Sequence, residues 1–202
     1  MSRMDRARKA WLWLAILAAS TAPAAHAHLM NSGFGPFYDG VAHPLTSAED
    51  LLPIAAVALL AGLSGARYGR WLLAALPAAW TIGMIAGWAL GVPAIPLWAA
   101  AAATALAGAA VAADLRLPLA VVLGLAAAIS ALHGFANGTE LTAAPRGLVA
   151  IAGTACCLAV VVSLLAGQVT SLRAQWARLA VRVCGSWIAA IGLLMLGWSA
   201  RM

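Results

Sequence analysis

Five stretches of this chain, Trp71 to Gly91, Pro93 to Ala113, Pro118 to Asn137, Gly147 to Gly167 and Val183 to Ala200, contain no Asp, Glu, Lys or Arg. Each has about the ~20 residues that an α-helix needs to cross ~30 Å of hydrocarbon. Inside a bilayer no water is at hand for the backbone, so a spanning segment must satisfy its own N–H and C=O groups, which a helix does. The composition agrees, because 64% hydrophobic and 9% charged residues leave too little polar surface to coat a soluble globule. The expected fold is all-α, a polytopic membrane protein.

The first span in chain order is less plain. Leu51 to Gly65 is uncharged but shorter than the ~20 residues required. Starting the helix at Pro44 or Leu45 lengthens it, since proline suits a first helical position, but draws Glu49 and Asp50 below the outer surface. Pro53 then lies within the membrane. The six expected spans are therefore about 45–65, 71–91, 93–113, 118–137, 147–167 and 183–200. Ahead of them His28 to Asp39, rich in glycine and aromatics, reads as a loop or interfacial cap. Residues 1–27 read as a cleaved secretory signal, with a basic start, an apolar core at Trp11 to Ala19 too short to span, and Ala25-His26-Ala27 as the cleavage site. Cleavage after Ala27 makes His28 the mature N-terminus and leaves residues 28–202, the six-helix domain, without a lysine. A Walker-A phosphate loop is then excluded.

Charge sets the orientation. The formal charge of +6 does not form a nucleic-acid patch, because Arg3, Arg6, Arg8 and Lys9 precede the first apolar run and the other basic residues are scattered between runs. With His28 outside, Arg67, Arg70, Arg116, Arg173, Arg178 and Arg182 fall inside, against Arg146 and Arg201 outside, as the positive-inside rule requires. Asp39, Glu49, Asp50 and Glu140 fall at or near the outer face and Asp114 inside. The expected location is a bacterial inner membrane with a periplasmic N-terminus. Trp71, Trp88, Trp98, Trp176 and Trp198 read as interfacial anchors, with Trp80 and Trp187 deeper. Gly83, Gly87 and Gly91 recur every fourth residue and suggest close helix packing. Cys156, Cys157 and Cys184 have no C-x-x-C spacing and read as small buried hydrophobes. No prosthetic group is expected.

Polar residues inside an apolar segment mark function by default. His133, Asn137 and Glu140 stand at i, i+4 and i+7, one stripe of a helix, beside Gly134 and Gly138, which would let a neighbouring helix approach. His43 and Asp50 repeat the seven-residue spacing at the outer end of the first span. If the two helices pack together, two imidazoles and two carboxylates converge, a donor set suited to nickel, cobalt or zinc. His28 could add its imidazole and α-amine. Glu49, Asn137 and Asp39 are further candidates, each with a structural alternative: Glu49 completes a Thr46-Ser47-Ala48-Glu49 capping box, Asn137 bonds between helices, and Asp39, like Tyr38, is a loop residue.

These motifs resemble those of the HupE/UreJ family of nickel and cobalt permeases, whose fourth span carries H-G-x-A-x-x-x-E and whose first span carries H-P-x-x-G-x-D-H. His133-Gly134-Phe135-Ala136-Asn137-Gly138-Thr139-Glu140 matches the former at every fixed position. In the latter His43 and Pro44 agree, while Ser47 replaces glycine, Glu49 replaces aspartate and Asp50 replaces the second histidine. The resemblance implies a non-enzymatic secondary transporter importing a divalent metal, nickel or cobalt first and zinc next. Metalloenzyme-maturation proteins are the implied partners beside the metal and the bilayer. The residues by themselves also admit a proton-coupled permease or accessory membrane protein, and an intramembrane zinc hydrolase with Glu140 as base.

Overall fold

A computed structural model describes residues 32–91, 96–141 and 147–201. The expected signal segment, His28 and Arg146 lie outside the described residues. The described helices are α1 (Pro36–Thr46), α2 (Ala48–Ser64), α3 (Ala66–Leu90), α4 (Leu97–Ala112), α5 (Leu119–Glu140), α6 (Gly147–Ser171) and α7 (Gln175–Ser199). No strand occurs among the described residues. Helices α3, α5, α6 and α7 are long and apolar enough to cross a membrane, and α1 with α2 makes a fifth such element if the pair, bent by 72°, is one span. Helix α4, at 16 residues, is a shorter apolar helix. The chain is an all-helical, multi-pass membrane protein.

Helix α2 is the axis of the bundle. Ile54, Val57, Leu60 and Leu63 are buried together with Ala56, Ala58, Leu59 and Ala61, so the helix is covered on every side. A helix apolar all round belongs in a core, and α2 packs against each of the other six. The surrounding helices turn large apolar side chains outward, among them Ile82, Leu106, Leu164, Trp187 and Leu194, which suits lipid rather than water.

Glycines set the closest approaches. Helices α3 and α5 run parallel with backbones almost touching, because a Cβ at Gly134 would strike the Trp80 carbonyl and one at Gly138 the Met84 carbonyl, while Gly83 and Gly87 face Ala131 and Phe135 in return. Helices α4 and α7 pack antiparallel in the same way through Gly108, Gly185 and Gly192.

Several boundaries differ from the sequence-based expectation. Ser32 to Gly35 of the polar lead is irregular, but the loop ends sooner than expected: from Pro36 the chain is helical, with proline in the first turn and Asp39 near the helix start. Pro44, expected to open the first span, lies inside α1 instead. Its ring removes the N–H that would bond the Gly40 carbonyl, and Thr154 Oγ1 donates to that carbonyl at 2.9 Å. Gly40 and Gly153 have no side chain, so α1 and α6 come close enough for this bond. The chain then bends at Ser47, whose extended backbone (φ −89°, ψ 110°) separates α1 from α2. Residues 66–70, expected as a connection, form the start of α3, and the expected Gln168–Arg182 connection shrinks to residues 172–174. Helical propensity continues past the last strongly apolar residue, which hydropathy alone does not register.

The side chains add to this. Cys157 is buried, but Cys156 and Cys184 are exposed on the helix surfaces. Trp80, read as deeper than the interfacial tryptophans, is fully buried, whereas Trp187, read the same way, is exposed on the helix surface like Trp71, Trp98, Trp176 and Trp198.

Both ends of the bundle are chemically distinct. Arg67, Arg70, Arg116, Arg173, Arg178 and Arg182 all lie where α2 ends, at the start of α3, in the α4–α5 and α6–α7 links and in the first turns of α7. Tyr68 Oη donates to the Leu117 carbonyl there at 3.1 Å, Arg182 Nε to the Ala112 carbonyl at 3.0 Å, and Arg178 to the Leu63 carbonyl at 3.4 Å. Asp50, His133 and Asn137 occupy the other end.

Gly138→Val is expected to lower the thermal stability of the purified protein by ~1–3 kcal/mol or to abolish its accumulation in the membrane, since the added atoms meet backbone that cannot yield. Gly124→Ala, where nothing lies within 4 Å of the new atom, should be neutral within ~1 kcal/mol. Melting curves of the two variants check the contrast.

Candidate functional site

Asp50 stands in the first turn of α2 and is only 3% exposed. A carboxylate there faces the positive end of the helix dipole, a favourable term of up to ~2 kcal/mol when partly buried. Burial of the charge costs several kcal/mol on the order given by measured buried ions, so it needs polar partners. Three side chains supply them. His43 Nε2 lies 3.3 Å from Oδ2, His133 Nδ1 lies 3.2 Å from Oδ1, and Asn137 Nδ2 donates to Oδ2 at 2.8 Å. All three are buried as well.

The bend at Ser47 makes this possible. In an unbroken helix a seven-residue step advances about 10 Å, too far for a direct contact, but turning α1 back brings the His43 imidazole onto Asp50. The fourth-residue spacing of His133 and Asn137 puts both on the face of α5 that looks toward α2. Gly134 and Gly138 alternate with them and seat α5 against α3.

Trp80 completes the site. Its ring stacks on His133 with centroids 5.7 Å apart and planes inclined by 24°, which seals one face of the imidazole. Sequence reasoning placed Trp80 deep but did not connect it with His133. The available signal was its position near the middle of an uncharged run, where an interfacial role makes no sense. His133 Nε2 and Trp80 Nε1 are both buried without a hydrogen-bond partner among the described residues. When Asp50 is ionised and the imidazole neutral, a proton on Nδ1 points toward the carboxylate and Nε2 presents a lone pair.

The other candidates separate. Glu140 is the last residue of α5 rather than part of a loop, is exposed, and lies within electrostatic reach of His43. Glu49 is exposed. The expected capping box does not form, because Ser47 rather than Thr46 precedes the helix, no side chain caps it, and Thr46 Oγ1 bonds back to the Ala42 and His43 carbonyls at 3.0 and 3.2 Å. Asp39 accepts a bond from the Ser32 amide at 2.6 Å and so holds the start of its own segment. His28 lies outside the described residues. Among the described residues no three His, Cys, Asp or Glu side chains surround a common point as metal ligands do; the imidazoles and the amide converge on the oxygens of Asp50 instead.

Residues 14–195 match the family described as HupE / UreJ protein. The chain belongs to the HupE/UreJ family. Members of this family are transport or accessory membrane proteins, associated with nickel and cobalt uptake or with urease and hydrogenase accessory function. No curated protein and no solved structure matches the chain. The two sequence motifs of this HupE/UreJ member thus meet at one carboxylate, with the motif-departing residue Asp50 at its centre.

Asp50→Ala is expected to destabilise the purified protein by ~1–3 kcal/mol, because it strands buried donors of His43, His133 and Asn137. Its exposed neighbour sets the scale, since Glu49→Ala should stay within ~0.5 kcal/mol. Equal melting temperatures for the two variants would contradict the network.

Proposed function

We propose that this chain is a secondary transporter that imports a divalent transition-metal ion, nickel or cobalt before zinc, through the His43, Asp50, His133, Asn137 cluster. On this reading a cleaved signal precedes six spans, the mature N-terminus and the Asp50 end face the periplasm, and the arginine-rich end faces the cytoplasm. One observation carries the proposal: a buried carboxylate held by two imidazoles at one end of a membrane-embedded helix bundle. That donor chemistry suits a borderline divalent cation. The carboxylate offsets charge that a dehydrated cation brings into low dielectric, and the lone pair of His133 Nε2 is a free donor. Glu140, exposed beside the cluster, serves as the first anionic contact, and His28 and Asp39 are secondary candidates ahead of it. The ion displaces the imidazoles from Asp50 as it binds, so the hydrogen-bonded arrangement is the unloaded state. Two charges moving down the membrane potential gain about 4.6 kcal/mol per 100 mV, so import needs no ATP.

A second reading has its own support. The imidazoles face Asp50 rather than a common point, which also fits a proton-coupled permease or an accessory protein in which this network relays protons or holds helices together.

The two readings part in whole-cell metal accumulation. His133→Ala, Asp50→Asn and Glu140→Gln are each expected to reduce nickel or cobalt uptake at least tenfold (on the order of 1.4 kcal/mol), while Asp114→Asn at the opposite end leaves it unchanged. Normal uptake by Asp50→Asn at matched expression would defeat the metal site. The pH dependence has a fixed sign as well. Metal ligation requires neutral imidazole, so uptake should fall as external pH drops through the histidine range near ~6.5. Stimulation by external acid would favour proton coupling instead.

A further inference from the structure

The arginine-rich end of the bundle holds two adjoining cavities that the transport reading leaves unused. One, of about 570 Å³, is lined by Tyr68, Arg116, Leu117 and Arg178 among others, and the second, of about 510 Å³, by Asp114, Trp176, Arg178, Leu179 and Arg182. Arg178 is their shared wall. Its guanidinium reaches Asp114 at 3.5 Å and the Leu63 carbonyl at 3.4 Å, both through one terminal nitrogen. Arg182 donates to the Ala112 carbonyl through Nε, which leaves its two terminal nitrogens for another acceptor. Arg116 is exposed and has no hydrogen-bond or ion-pair partner among the described residues. Three guanidinium groups therefore ring the cavities against a single carboxylate, and most of their donors remain unused.

The surroundings say what kind of anion fits. Trp176 is 75% exposed, Leu179 in the same cavity lining is exposed, and so is Leu115 in the α4–α5 link. A small hydrated anion gains nothing from that rim. A phosphodiester with acyl chains does, since its headgroup pairs with the arginines while its chains cover the apolar side chains, and a tryptophan suits the boundary between them. Arginine forks match phosphate oxygens two at a time. We propose that this groove, between the α4–α5 link and the first turns of α7, binds the headgroup of an anionic phospholipid. Because the same groove joins the end of α2, the α4–α5 link and the start of α7, a bound lipid fastens the central helix to its neighbours at the end remote from Asp50.

The test uses the full mature chain purified in a neutral detergent, with thermal stability and retained lipid measured together. Phosphatidylglycerol is expected to raise the melting temperature by several degrees and to stay bound, whereas phosphatidylcholine and inorganic phosphate are not. Arg116→Gln, which removes no intramolecular bond, should weaken phosphatidylglycerol binding about fivefold, the equivalent of one basic residue at a membrane surface. It should leave the melting temperature without lipid unchanged. Arg67→Gln, an exposed arginine at the same end outside both cavities, should bind normally. Equal stabilisation by phosphatidylcholine would overturn the headgroup assignment, and equal stabilisation by phosphate alone would make the groove a free-anion site. Equal losses in Arg67→Gln and Arg116→Gln would reduce the effect to general surface charge.

Discussion

The buried carboxylate of Asp50 is the constraint from which the rest of the site follows. A carboxylate 3% exposed at the core helix must, when ionised, recover a desolvation cost of several kcal/mol. Hydrogen bonds to a charged group contribute ~1.5–3 kcal/mol each, so three donors and the dipole of α2 are of the right size to offset it, and one donor is not. That arithmetic accounts for the shape of the region. His43 has to come from a separate helix bent back by 72°, and His133 with Asn137 from a helix that runs past the same point. A straight first span would leave Asp50 one partner short.

Positioning of this quality depends on backbones rather than side chains. Without an aqueous hydrophobic effect, helices in lipid are held by packing and by hydrogen bonds. Gly134 and Gly138 press α5 against the carbonyls of Trp80 and Met84, which carries Trp80 onto the His133 ring and fixes the height of the imidazole. Gly40 and Gly153 do the same for α1 and α6, where Thr154 takes up the carbonyl that Pro44 leaves open. The glycines of this chain therefore belong to the site as much as its histidines do. Helix α2 touches every other described helix and runs from Asp50 to Leu63 beside the arginine groove, about 20 Å along its axis.

Much of this was legible in the sequence, and the gaps have definite causes. Uncharged runs of spanning length read correctly as helices because hydropathy reports the solvent each segment needs. His133 and Asn137 read as one stripe because a 3.6-residue period fixes the face of α5. The bend was not legible: a break at one residue, Ser47, leaves no trace in hydropathy, and the proline at position 44 suggested a helix start when a tertiary hydrogen bond from Thr154 lets it sit inside a helix. The capping box at Thr46 to Glu49 was a local rule overruled by the same bend. Trp80 escaped because its partner lies on another helix, and only the packing of α3 on α5 joins them. Glu140 was placed on the right stripe, but its exposure depends on where the bundle ends, which spacing along one helix does not give.

The departures from the family motif acquire a physical sense once the bend is seen. Ser47 occupies the position where the motif carries glycine, and its φ of −89° lies in a region any residue can adopt, so the bend needs no glycine and the substitution costs no strain. Asp50 occupies the position of the motif's second histidine. An imidazole there would place three rings together, each when neutral with one donor and one acceptor nitrogen, and nothing to fix which nitrogen holds the proton. A carboxylate has only acceptors. It therefore orients both rings at once, and in a neutral His133 it favours the tautomer with the proton on Nδ1. On the proposed reading the exchange trades a borderline nitrogen donor for a hard anionic oxygen. If the site takes a metal as proposed, this exchange favours oxygen-tolerant divalent ions, and the charge of Asp50, rather than a third imidazole, is the term that a dehydrated cation would find.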